Sequence, residues 1–307
     1  MAPKVSIGIP AYKPEFLEEA IASVLAQTYE DWELIVVDDC SPGDIRSIVS
    51  KFTDPRIRYY RNEENIGAED PSYNWDKCVE YARGEYFCLL CDDDLYHLEF
   101  LEEMLKLTEQ FPDCHVFRAR AQYIDGNGKM LRKYPSSPLW ESCEDYIWHT
   151  VHGLRMQSIS EWMVRRRRIV DCGGYVHFPV AWEADWVSIF RFAVEGGIAS
   201  SYMVLASFRY SGKNITSQPQ KNFYAMMDAL VLEKEHVVAL IRENAMDTNL
   251  EDMAAIRQER GARYLLGMVG LSTFLKFALF ERKRYGISRK SVLKVVGKRL
   301  LEFKVRQ

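Results

Sequence analysis

Neither glycine-rich phosphate loop is present in this chain: no G-x-G-x-x-G opens a helix after the first strand, and no G-x-x-x-x-G-K-[ST] occurs. Any nucleotide phosphates would therefore be handled by a cation and not by a glycine nest. Long apolar runs are also missing. The longest, Leu265 to Phe280, contains Lys276 and falls short of the roughly eighteen uninterrupted apolar residues of a spanning helix. Met1-Ala-Pro-Lys4 runs directly into strand-like Val5–Ile9, leaving no room for a signal peptide, so the chain is expected to stay in the cytoplasm. Of seven cysteines only Cys88 and Cys91 have C-x-x-C spacing. They lack a partner pair, which argues against zinc and for buried, reduced thiols. At 307 residues and 48% hydrophobic content the chain can bury a substantial core, in one large domain or one domain with an appendage.

What is present is acidic and sits at strand ends. Asp92-Asp93-Asp94 follow the apolar run Tyr86–Leu90, and Asp38-Asp39 follow Glu33-Leu-Ile-Val-Val37. Adjacent carboxylates repel one another, and a divalent cation bridging to a phosphate-bearing ligand relieves that repulsion. The competing reading of such a run is a solvated acidic turn that caps the next helix. In an open α/β sheet ligands bind outside the carboxyl ends of the strands, so the two acidic groups can face one crevice.

Strands and helices alternate along the first half. Strands are predicted at Val5–Pro10, Trp32–Val37, Ile57–Tyr60 and Tyr86–Leu90. Helices are predicted at Phe16–Gln27, Ile45–Phe52, Ser72–Arg83 and Leu98–Gln110. This pattern argues for right-handed βαβ units and a parallel sheet. Beyond Pro112 a hairpin is predicted around Asp125-Gly-Asn-Gly128, with strands at His115–Ile124, Lys129–Tyr134, Ser158–Val164 and Tyr202–Arg209 and helices at Arg168–Cys172 and Ala184–Glu195. After Pro219 only long helical patterns remain. The expected organisation is one α/β domain over residues 1–217, changing pattern near 112, and a helical appendage over residues 218–307.

The opening Val5-Ser-Ile-Gly-Ile-Pro-Ala-Tyr12, the segment Leu17 to Thr28, Leu34-Ile-Val-Val-Asp-Asp39, Asn65-Ile-Gly67, Ala82-Arg-Gly-Glu-Tyr86 and the acidic run together resemble family 2 glycosyltransferases. The resemblance covers roughly Lys4 to Thr216, and implies that the parts of the first domain before and after about residue 112 are its donor-binding and acceptor-binding halves. It implies an α/β GT-A fold with a mostly parallel central sheet flanked by helices, a nucleotide-diphosphate sugar donor (a UDP-sugar favoured), a divalent metal (manganese or magnesium), and inversion at the anomeric carbon. Carried over by position, Pro10 and Tyr12 line the nucleotide pocket with Asn65 and Gly67, Asp38 and Asp39 bind base or ribose, and Asp92 approaches the ribose. Asp93, with Asp94 beside it, coordinates the metal. Glu183-Ala-Asp-Trp-Val-Ser-Ile-Phe-Arg191 resembles the family's Glu-Asp motif and makes Asp185 the general base. Cys91, Leu98 and Ala184 depart from the usual residues, and the closing loop Arg209 to Thr216 has no histidine.

Such a transferase needs a base for the acceptor hydroxyl and a cation for the departing nucleoside diphosphate. The acceptor is expected to be a glycan or a lipid-linked sugar. The rival functions are a sugar-nucleotide pyrophosphorylase, disfavoured by the missing glycine-rich loop, and a non-catalytic sugar-nucleotide or glycan-binding protein, disfavoured by Asp185. Trp182 and Trp186 could stack on a sugar ring or belong to the core. His149 and His152 suit an acceptor pocket or the surface, and the run Arg165 to Arg168 is expected to be mostly solvated. From Lys276 the sequence is basic, with interleaved apolar residues such as Phe277, Phe280 and Ile287. It is read either as a tail lying on an anionic membrane surface or as a helix packed on the core with a solvated basic face. No nucleic-acid recognition module is visible.

Overall fold

The computed structural model describes residues 2–212 and 214–305, without the side chains of 216 and 299–305. The part of the basic tail from Arg299 is thus backbone only, and Arg306 and Gln307 lie outside the described residues. The chain forms two compact units. One comprises Met1–His177 with Ala184–Ser211, and the other Phe178–Glu183 with Gly212–Gln307.

The first unit is built on one mixed sheet. Its first four strands, β1 (Val5–Ala11), β2 (Trp32–Asp38), β3 (Ile57–Arg61) and β4 (Tyr86–Leu89), run parallel. They are joined by α1 (Leu17–Leu25), α2 (Ile45–Val49) and α3 (Ser72–Tyr81). Strand β2 is buried along its whole length, as a near-continuous apolar run between two helical layers must be. Helix α3 comes so close to β1 that a Cβ on Gly8 would lie 2.6 Å from Cys78 Cβ. Register brings three strand ends level: Ala11 pairs with Asp38 and Gly8 with Leu89, and Leu90 N–H donates to the Gly8 carbonyl at 2.9 Å. That alignment gathers the residues after β1, β2 and β4.

Beyond β4 the sheet becomes mixed. After the short β5 (Leu95–Tyr96) and α4 (Phe100–Gln110), β6 (Val116–Ile124) and β7 (Met130–Lys133) form the expected hairpin, with Gly128 in the left-handed region (φ 79°). Next come β8 (Trp140–Glu141), α5 (Cys143–Val151), β9 (Trp162–Arg165), α6 (Arg166–Asp171), α7 (Ala184–Ala193) and β10 (Ile198–Arg209). Strand β9 inserts antiparallel between β4 and β6, and β10 lies parallel to β6. Two expectations change here. The strand expected from Ser158 begins only at Trp162, because Glu161 turns back to accept from Ser158 N and Oγ (3.1 and 3.3 Å) and closes a 3₁₀ turn over Ile159–Glu161. Strand β10 begins earlier than Tyr202, and bulges between Ser200 and Ala206 break the alternation that marks a strand in sequence.

The second unit holds α8 (Pro219–Glu243), α9 (Asn249–Met268), α10 (Leu271–Lys276), a π turn (Phe277–Glu281) and α11 (Arg289–Val305). Its core contains Phe223, Met227, Leu230, Leu265, Leu266 and Phe277, with Val180 and Trp182 packed against it. Arg257 is ion-paired with both Glu233 and Glu183, so α9 anchors the segment 178–183. Among the described residues no helix is long and apolar enough to cross a membrane.

Candidate active site

The acidic run is not a solvated turn: Asp92, Asp93 and Asp94 are 7%, 4% and 0% exposed. Each does something different. Asp92 Oδ2 accepts from the backbone N–H groups of Tyr12 and Lys13 (2.8 and 2.7 Å), which ties the loop after β1 to the loop after β4. Burial and the neighbouring Asp93 charge push its carboxyl up to about 6. Asp94 accepts from Arg209 N at Oδ1 (2.9 Å) and from Ser160 Oγ at Oδ2 (2.6 Å), and burial raises it well above the ordinary range. Of the two aspartates expected to hold a cation, Asp94 thus braces the loop. The Asp93 carboxylate instead lies 3.8 Å from Lys13 Nζ.

Arg209, at the end of β10, secures the same loop. It is fully buried, donates from Nε to the Asp93 carbonyl (2.8 Å) and from Nη2 to Glu19 (2.6 Å), and stacks over the Phe16 ring at 4.3 Å. The guanidinium thus links the first helix, the last strand and the acidic loop in one contact set.

Asp38 closes β2, Asp39 follows it, and both are also buried. Asp38 accepts from Ser41 N (2.8 Å), Tyr59 Oη (2.7 Å) and Arg61. Asp39 accepts from Asn62 Nδ2 (2.8 Å), Ile66 N (3.0 Å) and Gly67 N (2.8 Å), which shapes the loop carrying Asn65 and Gly67. A Cβ on Gly67 would sit 2.7 Å from Asp39 Oδ2, so only glycine permits that approach. Tyr12 is 41% exposed, and its carbonyl accepts from Ser41 Oγ at 2.5 Å. Pro10 and Asp38 lie at the ends of β1 and β2, Tyr12, Asp39 and Asp92 on the loops after β1, β2 and β4, and Asn65 and Gly67 on the loop after β3; the hydrogen bonds of Asp92, Ser41 and Asp39 tie these loops together.

Asp185 lies half-buried in the first turn of α7. Its Oδ2 accepts from Gln157 Nε2 at 3.2 Å, and Gln157 Oε1 accepts from the Tyr146 hydroxyl at 2.7 Å. This relay fixes the carboxylate from behind. Three non-glycine residues in the segment just before it, Val180, Ala181 and Glu183, have φ between 50° and 63°. Left-handed backbone is costly for a β-branched valine and clusters at functional sites. The two tryptophans part company: Trp186 stacks on Tyr146 at 6.2 Å, and Trp182 joins the core of the helical unit.

Other candidates have structural partners. The Nδ1 atoms of His149 and His152 lie 2.7 Å from the Asp145 and Trp148 carbonyls. Arg165, Arg166 and Arg168 donate to the carbonyls of Cys114, Gly84 and Phe192, while Arg167 pairs with Asp171. The run expected to be mostly solvated is thus largely bonded to the fold. All seven cysteines are free thiols. Arg209, Gln157 and Tyr146 carry no local sequence signal of their roles, because each acts through residues remote in the chain.

Residues 6–174 match the model of Glycosyl transferase family 2. The chain is 30% identical over 154 residues to TuaG of Bacillus subtilis, named as a teichuronic acid biosynthesis glycosyltransferase; the match spans 49% of this chain and 60% of that protein. The crystal structure of S. aureus TarS residues 1–349 in complex with UDP-GlcNAc superposes with a TM-score of 0.63 at 17% identity, over 92% of this chain and 78% of that one. A mannosyltransferase from Pyrobaculum calidifontis, in complex with GDP-Man and Mn2+, gives 0.56 at 14% identity, over 98% and 88%. These two likenesses show the fold, which is GT-A.

Proposed function

The chain belongs to glycosyl transferase family 2, and from that membership we propose that it moves a hexosyl or hexosaminyl group, with inversion, from a nucleotide-diphosphate sugar to a hydroxyl of a glycan or lipid-linked acceptor. The observation that carries this reading is the buried acidic loop at the ends of β1, β2 and β4. Among the described residues no three His, Cys, Asp or Glu side chains form a metal cage. Asp93 is a hard oxygen donor of the kind that manganese or magnesium would take, and such a cation would supply Lewis acidity toward the diphosphate. Asp93 is the carboxylate assigned to it, and Asp92 the one facing the ribose. The cation would offset the charge that develops on the departing diphosphate.

The remaining work falls to the chain itself. Asp185, oriented by Gln157 and Tyr146, takes the proton of the acceptor hydroxyl as that oxygen attacks the anomeric carbon from the face opposite the leaving diphosphate. Asp38, Asp39 and the loops they organise hold base and ribose. A UDP-sugar is the favoured donor, in line with the TarS complex. Cell-surface polysaccharide synthesis is the favoured setting, in line with the TuaG match. A lipid-linked acceptor would bring the enzyme to the inner face of the membrane, where the basic residues from Lys276 onward meet anionic lipid.

A thermal-shift screen of UDP- and GDP-sugars with and without manganese tests the donor assignment. A ligand at a hundred times its dissociation constant adds about 2.7 kcal/mol of stability, so one donor should stand out, and only with the metal present. The shift should also depend on pH. The Asp92 carboxyl rises from 3.8 to about 6 in the fold. Its contribution to the free protein's stability is therefore fully present at acid pH and lost as pH rises through about 6. The ionised Asp92 carboxylate adds negative charge beside a cation on Asp93, so metal-supported stabilisation should grow across that same interval. Equal shifts with and without manganese, or no change between about pH 5 and 7.5, would contradict the assignment.

A further inference from the structure

The segment Leu271–Glu281 is apolar on both sides although it lies at the surface of the helical unit. Its inner side is conventional: Phe274 and Phe277 are 4% and 0% exposed and pack in the unit's core. Its outer side is not. Leu271, Leu275, Leu279 and Phe280 are 65%, 47%, 70% and 78% exposed. Leu271, Leu275 and Leu279 follow one another at four-residue spacing along one helical stripe. Phe280 stands next to Leu279 in the π turn over Phe277–Glu281 that continues α10. A contiguous exposed ridge of large apolar side chains marks an interaction site.

The charges around the ridge indicate what it meets. Lys276, Arg282, Lys283 and Arg284 stand against the single acid Glu281, and Lys276, Lys283 and Arg284 are exposed. Two have loose partners within the unit: Lys276 Nζ lies 5.5 Å over the Tyr224 ring, and Arg284 Nη2 is 3.7 Å from Asp228. An apolar stripe with a basic flank fits the headgroup boundary of an anionic bilayer. Pairing with a second copy about a two-fold axis would set the basic flank against itself. Among the described side chains of α11, Lys290, Lys294 and Lys298 are exposed, and Leu293 is the large exposed apolar residue.

We propose that the ridge Leu271–Leu275–Leu279–Phe280, with its basic flank, is the element that inserts into the interfacial layer of an anionic membrane, and that Lys290, Lys294 and Lys298 of α11 add electrostatic attraction. This rests on the membrane contact proposed above and specifies where it is made. The test is co-sedimentation of the full chain with vesicles of mixed phosphatidylglycerol and phosphatidylcholine, against vesicles of phosphatidylcholine alone. The intact protein should pellet with the anionic vesicles. Leu279→Ser combined with Phe280→Ser should reduce the bound fraction at least about tenfold without lowering the melting temperature, since both side chains are exposed. Phe280→Ser alone is the milder check if the pair melts lower. Lys290→Gln, Lys294→Gln and Lys298→Gln together should weaken binding less than the ridge variant does.

If the ridge variants bind normally and the lysine variant does not, the ridge assignment is overturned while the membrane reading stands. If the intact protein binds no vesicles, both fall. If sedimentation velocity shows a dimer that the ridge variants dissociate, with no vesicle binding by either form, the ridge is an interface between copies and the proposal is wrong.

Discussion

Replacing Asp185 with asparagine is expected to lower turnover by at least about a hundredfold while donor affinity changes little. The substitution preserves shape, and the asparagine oxygen can still accept from Gln157 Nε2, which now lies 3.2 Å from Asp185 Oδ2. What is lost is the ability to take a proton. A group that acts only in the transition state reduces kcat and kcat/KM together. Steady-state kinetics with calorimetric donor binding in the same variant makes the distinction. Near-normal turnover would place the base elsewhere. Glu183 is two residues away but already ion-paired with Arg257, which makes it a poor replacement.

Asp93→Asn should weaken metal-supported binding of a nucleoside diphosphate by at least about tenfold, or 1.4 kcal/mol, and leave metal-free binding unchanged. The free protein should melt no lower than the wild type. Asp93 adds to the repulsion that raises Asp92 and Asp94, so removing its charge relieves a buried cluster. Loss of the fold is not expected, because the loop is held through the Asp93 carbonyl and the Asp94 carboxylate, groups that the substitution leaves in place. Calorimetric titration in manganese decides the point, and unchanged affinity would remove Asp93 from the metal's coordination.

The N-terminal half is legible because each signal is local. Strands β1, β2 and β4 are apolar runs, their ends carry the acidic residues, and the loops that follow contain the turn residues. Register then places those ends side by side without any information beyond the βαβ order. The second half was harder to read. Helix α5 was missed although Ser142 caps it by accepting from Asp145 N at 3.0 Å, a pattern visible as Ser-x-x-Asp. The 3₁₀ turn at Ile159–Glu161 was read as strand because the buried Glu161, bonded to Arg118 at 2.7 Å, looked like any polar residue in an alternating run.

Site residues that act by tertiary contact left no local trace. Arg209 reaches Asp94 across 115 residues and Gln157 reaches Asp185 across 28, so their roles follow from the fold alone. The acidic runs are visible in the sequence, but the partners of each carboxylate are not. The donors that hold each carboxylate come from elsewhere in the chain: Tyr12 and Lys13 N–H for Asp92, Ile66 and Gly67 N–H for Asp39, and Arg209 N–H with Ser160 Oγ for Asp94.

The central claim is that this chain cleaves the bond between a sugar and a nucleoside diphosphate, with a metal and Asp185 both required. It is tested most directly by incubating the protein with manganese and a panel of nucleotide sugars and following nucleoside diphosphate release. The account predicts release from at least one donor, lost on chelation and lost in Asp185→Asn although that variant still binds the donor. Donor binding without release under any condition would make the chain a binding protein. Formation of a nucleotide sugar from a nucleoside triphosphate and a sugar phosphate, with pyrophosphate as the other product, would make it a pyrophosphorylase, and either result would contradict the account.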